Sequence, residues 1–147
     1  KKCRKGDFTI FVSVETDGQP LHGTVCKGKN WSWEADSALF KPCLTIGKQI
    51  VRSCNVLGTA DSWLRYGRGT NGKWYPVEPY SRFTLAVVAE GGRLTTYVNG
   101  LVDQSMEGDC DLRDLLLGAC NGRIGSYAVY HRALNPAEIA RLDSQCR

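Results

Sequence analysis

Phe83, Leu85, Val87 and Ala89 alternate with Thr84, Ala86, Val88 and Glu90, and a period of two sends successive side chains to opposite faces of a β-strand. Glu90-Gly91-Gly92-Arg93 follows with turn chemistry, because glycine reaches positive φ without steric cost. Leu94, Thr96 and Val98 resume the alternation, and Asn99-Gly100 marks a second tight turn. Successive hairpin signals of this kind predict an antiparallel meander. Earlier, Phe8, Ile10, Val12 and Val14 alternate with Thr9, Ser13 and Glu15, an opening strand closed by Asp17-Gly18-Gln19-Pro20. A strand is expected over 21–27, then a polar loop at Gly28-Lys29-Asn30, then a hairpin from 39–46 to 50–57 across Gly47-Lys48-Gln49. In that register Cys43 is expected roughly opposite Cys54, close enough for a cross-strand disulfide if the turn has two residues.

After the meander, acidic residues crowd the first part of 103–120 and Leu115-Leu116-Leu117 forms an apolar run. Over 122–131, Ile124, Ala128 and Tyr130 are read as one face of a strand, with Tyr127 and Val129 on the other. The chain closes on a helix. Asn135 stands at the cap, Pro136 in the first turn, Glu138 in capping-box position, and Ile139 and Leu142 share the buried side. Eight or more strands, one short terminal helix and no internal repeat describe an all-β fold, an antiparallel two-sheet jelly-roll sandwich.

The segment 61–80 breaks the pattern. Trp63, Tyr66, Trp74, Tyr75 and Tyr80 stand among Gly67, Gly69, Gly72, Pro76 and Pro79 with no period of 2 or 3.6, which predicts a long irregular loop with room for a short strand. Loops of this length inside compact domains tend to be functional. Trp63, Tyr66, Trp74 and Tyr75 are candidates to stack on sugar rings or anchor a protein partner, and Arg65 and Arg68 to meet carboxylates of a partner or an acidic sugar. The plainer alternative is that some of these rings fold back over a sheet edge. For Trp31 and Trp33, core packing is the expectation.

A chain of 147 residues is expected to be one domain (1–147) with a substantial core, and its abrupt start suggests a mature product or a module cut from a larger protein. No apolar run approaches the ~20 residues that span a bilayer, so no membrane insertion is expected. The net charge of +4 is spread along the chain apart from Lys1, Lys2, Arg4 and Lys5, and no nucleic-acid partner is expected. Seven cysteines without a Cys-x-x-Cys spacing argue for disulfides in an oxidising compartment rather than a zinc or thioredoxin-type site. Asn30-Trp31-Ser32 is a glycosylation sequon, in keeping with secretion.

The ending Gly125-Ser-Tyr-Ala-Val-Tyr-His-Arg-Ala-Leu-Asn-Pro-Ala-Glu-Ile-Ala-Arg-Leu142 resembles the closing signature of laminin-G-like jelly-roll modules, Tyr-x-Arg-Ala-Leu followed by a helix with Glu-Ile. Tyr97-Val-Asn-Gly-Leu101 resembles the hairpin of the same family, and Phe8-Thr-Ile its opening strand. Asn71-Gly-Lys-Trp74, Glu78 and Arg82-Phe83 resemble the galectin pattern, in which an Asn, a stacking Trp and a following Glu hold galactose. Here Glu78 is four residues after Trp74 rather than three, and His22 lacks the galectin His-x-Asn-Pro-Arg element. Galectin-like domains without the sugar residues occur in secreted adhesins, including microneme adhesins of apicomplexan parasites, where they dock another secreted protein. The resemblance therefore implies a concanavalin-like sandwich and a recognition role toward a secreted or cell-surface protein, or toward a glycan through Asn71, Trp74 and Glu78.

The same superfamily contains glucanases and calcium-binding modules. Glucanases need Glu-x-Asp-x-x-Glu on one strand; Glu34-Ala-Asp36-Ser-Ala-Leu39 lacks the third carboxylate and with it an acid/base. His22 and His131 sit in unrelated contexts and suggest no triad, so no enzyme is expected. Asp103, Glu107, Asp109 and Asp111 offer hard oxygen ligands for Ca²⁺, against the plainer reading of a solvated acidic loop. A jelly roll sets its first and last strands side by side, which makes Cys3–Cys146 a plausible staple; Cys110–Cys120 is a further local pairing, Cys26 is left over, and connectivity stays open. The combined expectation is a non-catalytic extracellular module for adhesion or assembly.

Overall fold

The computed structural model describes residues 6–19, 21–36, 41–53, 56–58, 74–76 and 82–146, with 36, 56–58 and 74–76 as backbone. Among the described residues twelve strands and a helix follow in order: β1 Phe8–Glu15, β2 Gly23–Lys27, β3 Trp31–Asp36, β4 Lys41–Ile46, β5 Gln49–Arg52, β6 Val56–Gly58, β7 Trp74–Pro76, β8 Arg82–Glu90, β9 Arg93–Val98, β10 Leu101–Glu107, β11 Leu116–Cys120, β12 Arg123–Tyr130 and α1 Pro136–Cys146. They build two antiparallel five-stranded sheets, β10-β9-β8-β1-β12 and β11-β2-β3-β4-β5, with β6 and β7 as a separate parallel pair. The first and last strands are neighbours, Ile10 facing Val129, as a jelly roll requires.

Alternation explains the core. Phe8, Ile10, Val12 and Val14 of β1, Phe83, Leu85 and Val87 of β8 and Leu94 and Val98 of β9 point inward. They meet Val25, Cys26, Trp31, Trp33, Ala35, Leu44 and Ile46 of the facing sheet. Each such side chain withdrawn from water stabilises the fold by roughly 1.5–3 kcal/mol before entropy is set against it. Trp31 and Trp33 are core residues, 2% and 0% exposed, and the Trp31 indole N–H donates to the Asp111 carbonyl at 2.8 Å. Along one side of the sandwich β10 meets β5 and the residue that follows it. Gln104 Nε2 donates to the Val51 carbonyl at 2.8 Å, and Ser53 Oγ to Asp103 Oδ1 at 2.6 Å.

The outward face of β1, β8 and β9 is buried as well, because α1 lies on it. Phe11, Ala86, Val88 and Tyr97 pack against Leu134 and Ile139 in a second apolar cluster. A polar latch joins helix to meander. Buried Thr84 donates through Oγ1 to Asp143 Oδ1 at 2.6 Å, and the Thr84 N–H donates to Asn99 Oδ1 at 3.1 Å. Asn99 (φ 52°) and Gly100 (φ 79°) form the tight turn between β9 and β10. A Cβ on Gly100 would stand 3.1 Å from Asp143 Oδ2, so the turn needs glycine for space as well as for φ.

Four features depart from the sequence pattern. Trp31–Asp36 is a strand directly after the polar turn, where the pattern predicts no element. Leu101–Glu107 is the third strand of the meander inside a segment that reads as acidic loop. As an edge strand it leaves Leu101 and Val102 exposed and buries Gln104 and Met106, which inverts the usual signal. In β12 the register shifts so that Ser13 faces Ser126 while Val14 faces Ile124, leaving Gly125 as the extra residue. This bulge puts Ile124 on the core side with Val129 and opposite to Tyr130, correcting the expected faces. Finally, the two-residue turn Gly47-Lys48 sets Arg52, not Cys54, across from Cys43.

That register removes the geometric basis for a Cys43–Cys54 bridge; Cys54 itself, like Cys3, lies outside the described residues. Cys110 and Cys120 are free thiols, one in the loop before β11 and the other at the strand's far end, so the expected Cys110–Cys120 pairing is not formed. Cys146 closes α1 against the second cluster. Burial pushes the Cys26 thiol up to about 12 and, with Asp109 and Asp111 nearby, the Cys110 thiol up to about 11, so neither is a thiolate at neutral pH.

Candidate functional site

The aromatic segment singled out above falls mostly outside the described residues. Trp63, Arg65, Tyr66, Arg68, Asn71 and Glu78 lie there, while Trp74 and Tyr75 are placed on β7, paired in parallel with Val56 and Leu57. The acidic candidates do not come together. Asp103 accepts from Ser53, Glu107 binds Arg93 at 3.1 Å, and Asp111 binds Arg113 at 2.7 Å. Asp109 is exposed, and its backbone carbonyl accepts from Asn30 Nδ2 at 2.7 Å. Among the described residues no group of three or more His, Cys, Asp or Glu side chains is arranged to hold a metal ion. Glu34 has Thr24 and Cys43 as its cross-strand neighbours, and His22 and His131 are both exposed.

A groove forms on the outer face of the first sheet, from residues that sequence reasoning names only as strand, turn or cap positions, if at all. Strand alternation places Val88 and Glu90 of β8 beside Thr95 and Arg93 of β9, with Val88 facing Thr95 and Glu90 facing Arg93. Beyond β12 the chain turns back over this face. The buried Thr9 hydroxyl fixes that turn, donating to the Arg132 carbonyl and accepting from the Leu134 N–H, both at 2.9 Å. The capping box then sets the start of α1: the Glu138 N–H donates to Asn135 Oδ1 at 2.9 Å and the Asn135 N–H to Glu138 Oε1 at 3.1 Å. Sheet and turn enclose a groove of about 410 Å³, with Tyr97 and Val88 on the sheet side, Leu134 and Pro136 on the helix side, and Asp7, Glu90, Arg93, Arg132 and Glu138 around them.

The charges in this groove are held in pairs. Arg132 Nη1 and Nη2 grip the two Glu138 oxygens at 3.1 and 2.6 Å, and Arg93 reaches Ser105 Oγ at 2.9 Å and Glu107 at 3.1 Å. The Arg132 guanidinium, then the Asn135 N–H, hold the Glu138 carboxyl down at about 2. Burial and the neighbouring Glu90 charge push the Tyr97 phenol upward, which keeps it a hydroxyl donor. Because Glu138 binds protons more weakly folded than unfolded, its stabilising effect is complete above its ordinary 4.5 and is lost as pH falls through about 2. Glu138→Gln is therefore expected to flatten the acid limb of a melting-temperature profile across that window while leaving the neutral region parallel to wild type. An unchanged acid limb would contradict the assignment.

No protein-family model matches the sequence, and no curated protein matches it. Solved structures do match over nearly the whole chain. A Bacteroides ovatus protein assigned to carbohydrate binding has a TM-score of 0.62 at 14% identity, covering 95% of this chain and 42% of that one. The sialidase of Trypanosoma rangeli has a TM-score of 0.61 at 15% identity, covering 95% and 23%. The binding domain of botulinum neurotoxin DC, solved with rat synaptotagmin II, has a TM-score of 0.55 at 12% identity, covering 97% and 36%. The chain spans less than half the length of each. At these identities the likeness is one of fold, and the fold is an antiparallel two-sheet jelly-roll sandwich.

Proposed function

We propose that this domain is a non-catalytic, extracellular recognition module for adhesion or complex assembly, with a secreted or cell-surface protein as its partner. The observation that carries the reading is the two-sheet jelly-roll sandwich, which this chain shares over nearly its whole length with solved binding domains; the paired carboxylates are in keeping with it. Glu15, Asp111 and Glu138 are all displaced downward, each by a guanidinium: Arg123 with Arg82, Arg113, and Arg132 respectively. Glycoside hydrolysis needs a carboxylic acid raised toward neutrality to protonate the leaving group, and guanidinium partners act in the opposite sense. Two of the similar folds support recognition: the neurotoxin binding domain was solved with synaptotagmin II, and the Bacteroides protein is assigned to carbohydrate binding. The aromatic segment 61–80 is the proposed source of the partner contacts, with Trp63, Tyr66, Trp74 and Tyr75 as candidate anchors and Arg65 and Arg68 as candidate charge partners.

The second reading is a lectin built on Asn71, Trp74 and Glu78, favoured by the Bacteroides neighbour. A glycan array run beside a partner pull-down separates the two. Protein docking predicts capture weakened at least about tenfold, or ~1.4 kcal/mol, by Trp63→Ala and Trp74→Ala, with no array signal that depends on Trp74. Saturable glycan binding abolished by Trp74→Ala would overturn it in favour of the lectin. Glucan hydrolysis abolished by Glu34→Gln would overturn both.

A further inference from the structure

Each five-stranded sheet ends in two edge strands, and a strand edge presents N–H and C=O groups that can pair with another chain. Three of the four edges are blunted. β10 and β5 are tied to each other by Gln104 Nε2 on the Val51 carbonyl and by Ser53 Oγ on Asp103. β11 is five residues long and holds Gly118 in a left-handed conformation (φ 85°), a poor template for a straight strand. β12 is different. It runs for eight residues, and from Ile124 to Tyr130 it carries no charge and no proline. Among the described residues no strand pairs with its far side. We propose that β12 is a self-association edge, pairing antiparallel with β12 of a second copy of this chain about a two-fold axis at Tyr127. This surface is separate from the aromatic segment and does not depend on the recognition reading.

The decisive residue is Tyr127. It stands across from Val12, a fully buried core residue, so alternation puts its ring on the core face of the sheet. The ring is nonetheless 63% exposed. The second sheet reaches β12 at Gly118, where an added Cβ would stand 2.9 Å from Ile124 Cγ1, and Leu116 at the start of β11 is itself 45% exposed. A core-facing aromatic ring at a sheet edge, left without cover by the described residues, is a surface that a further strand would complete.

Antiparallel edge pairing is self-complementary, because a two-fold axis across the edge generates it from one strand. With the axis at Tyr127 the two rings stand directly opposite each other, Ser126 meets Ala128 and Ile124 meets Tyr130. Aromatic pairs across strands and aromatic residues at the centre of an interface are the favourable cases. Charge agrees. Arg123 is the strand's one charged residue, Glu15 binds its guanidinium, and the axis sets it opposite His131, just beyond the strand. No like charges meet, while an uncharged edge offers a charged foreign strand nothing to select it. A single strand edge lies below the ~1,200 Å² of standard interfaces, so the dimer should dissociate on the order of 100 μM.

Sedimentation velocity of the domain from about 10 μM to about 1 mM tests this. Wild type should pass from monomer to dimer across that range, and amide exchange at 126–130 should slow as concentration rises. Tyr127→Glu and Tyr127→Lys change an exposed side chain and should keep the urea midpoint near wild type. Each sets like charges opposite each other and should weaken association at least about tenfold. An equimolar mixture of the two variants should restore it, because a two-fold contact at this position then sets a carboxylate against an ammonium. The inference is overturned if wild type stays monomeric through about 1 mM, if both variants associate as wild type does, or if the mixture gains nothing over either variant. A monomeric wild type whose Tyr127→Lys variant loses capture of the protein partner also overturns it, and assigns the edge to that partner.

Discussion

Trp33→Ala is expected to lower the unfolding free energy by about 3–5 kcal/mol, the range for deleting a large buried aromatic side chain. Trp33 is fully buried at the middle of β3, with Leu44 beside it on β4 and Cys26 on β2, and among the described residues it is the largest fully buried side chain. Its replacement leaves a void that the neighbouring strands, each hydrogen-bonded on both sides, close only in part. The same residue offers a second, opposite effect. Its indole N–H has no hydrogen-bond partner among the described residues, and an unpaired buried donor costs about 1–3 kcal/mol. Trp33→Phe removes that donor along with part of the ring, so its loss should be far smaller than that of Trp33→Ala. Urea unfolding midpoints of the three proteins test both statements. Equal losses for Phe and Ala would show that the N–H is satisfied.

Ile139→Ala is the second large effect, expected at about 2–5 kcal/mol. Ile139 is fully buried where α1 meets the sheet, next to Phe11, Ala86, Val88 and Tyr97. Here the consequence is local as well as global. The helix is only 11 residues long, too short to persist in water without its apolar face docked. Weakening that face loosens the Thr84–Asp143 latch at one end of the helix and the groove wall at the other. Amide exchange in α1 should therefore accelerate more than exchange in β1 and β8. Uniform acceleration across the domain would mean that the helix and the sandwich unfold as one unit.

Much of this architecture is legible in the sequence, and the exceptions have physical causes. β1, β8, β9 and α1 follow from strict alternation, from glycine-bearing turns and from a full capping box, all local signals. β3 is short and follows a polar turn, which hides its Trp31-Trp33-Ala35 alternation. β10 is an edge strand whose Leu101 and Val102 face solvent while Gln104 is buried, so hydropathy works against recognising it. In β12 a single bulge residue, Gly125, changes the face of everything after it, which no fixed period can anticipate. The groove was less accessible still. Asp7, Glu90, Arg93, Tyr97, Arg132 and Glu138 are far apart in the chain, and each has an ordinary local reading as turn, strand or cap. Only the return of the chain over β8 and β9 makes them one groove. The two-sheet jelly-roll sandwich that the resemblance implies is the fold observed, while the aperiodic aromatic segment 61–80 is the basis of the proposed partner surface.

The central claim is that the domain recognises a protein without chemistry. The most direct measurement is its saturable binding to cells whose surface has been treated with protease in one arm and stripped of glycans in the other. The account predicts that protease abolishes binding, that glycan removal leaves it largely intact, and that Trp63→Ala with Trp74→Ala abolishes it on untreated cells. Binding that survives protease and disappears with the glycans would contradict it and identify a lectin instead.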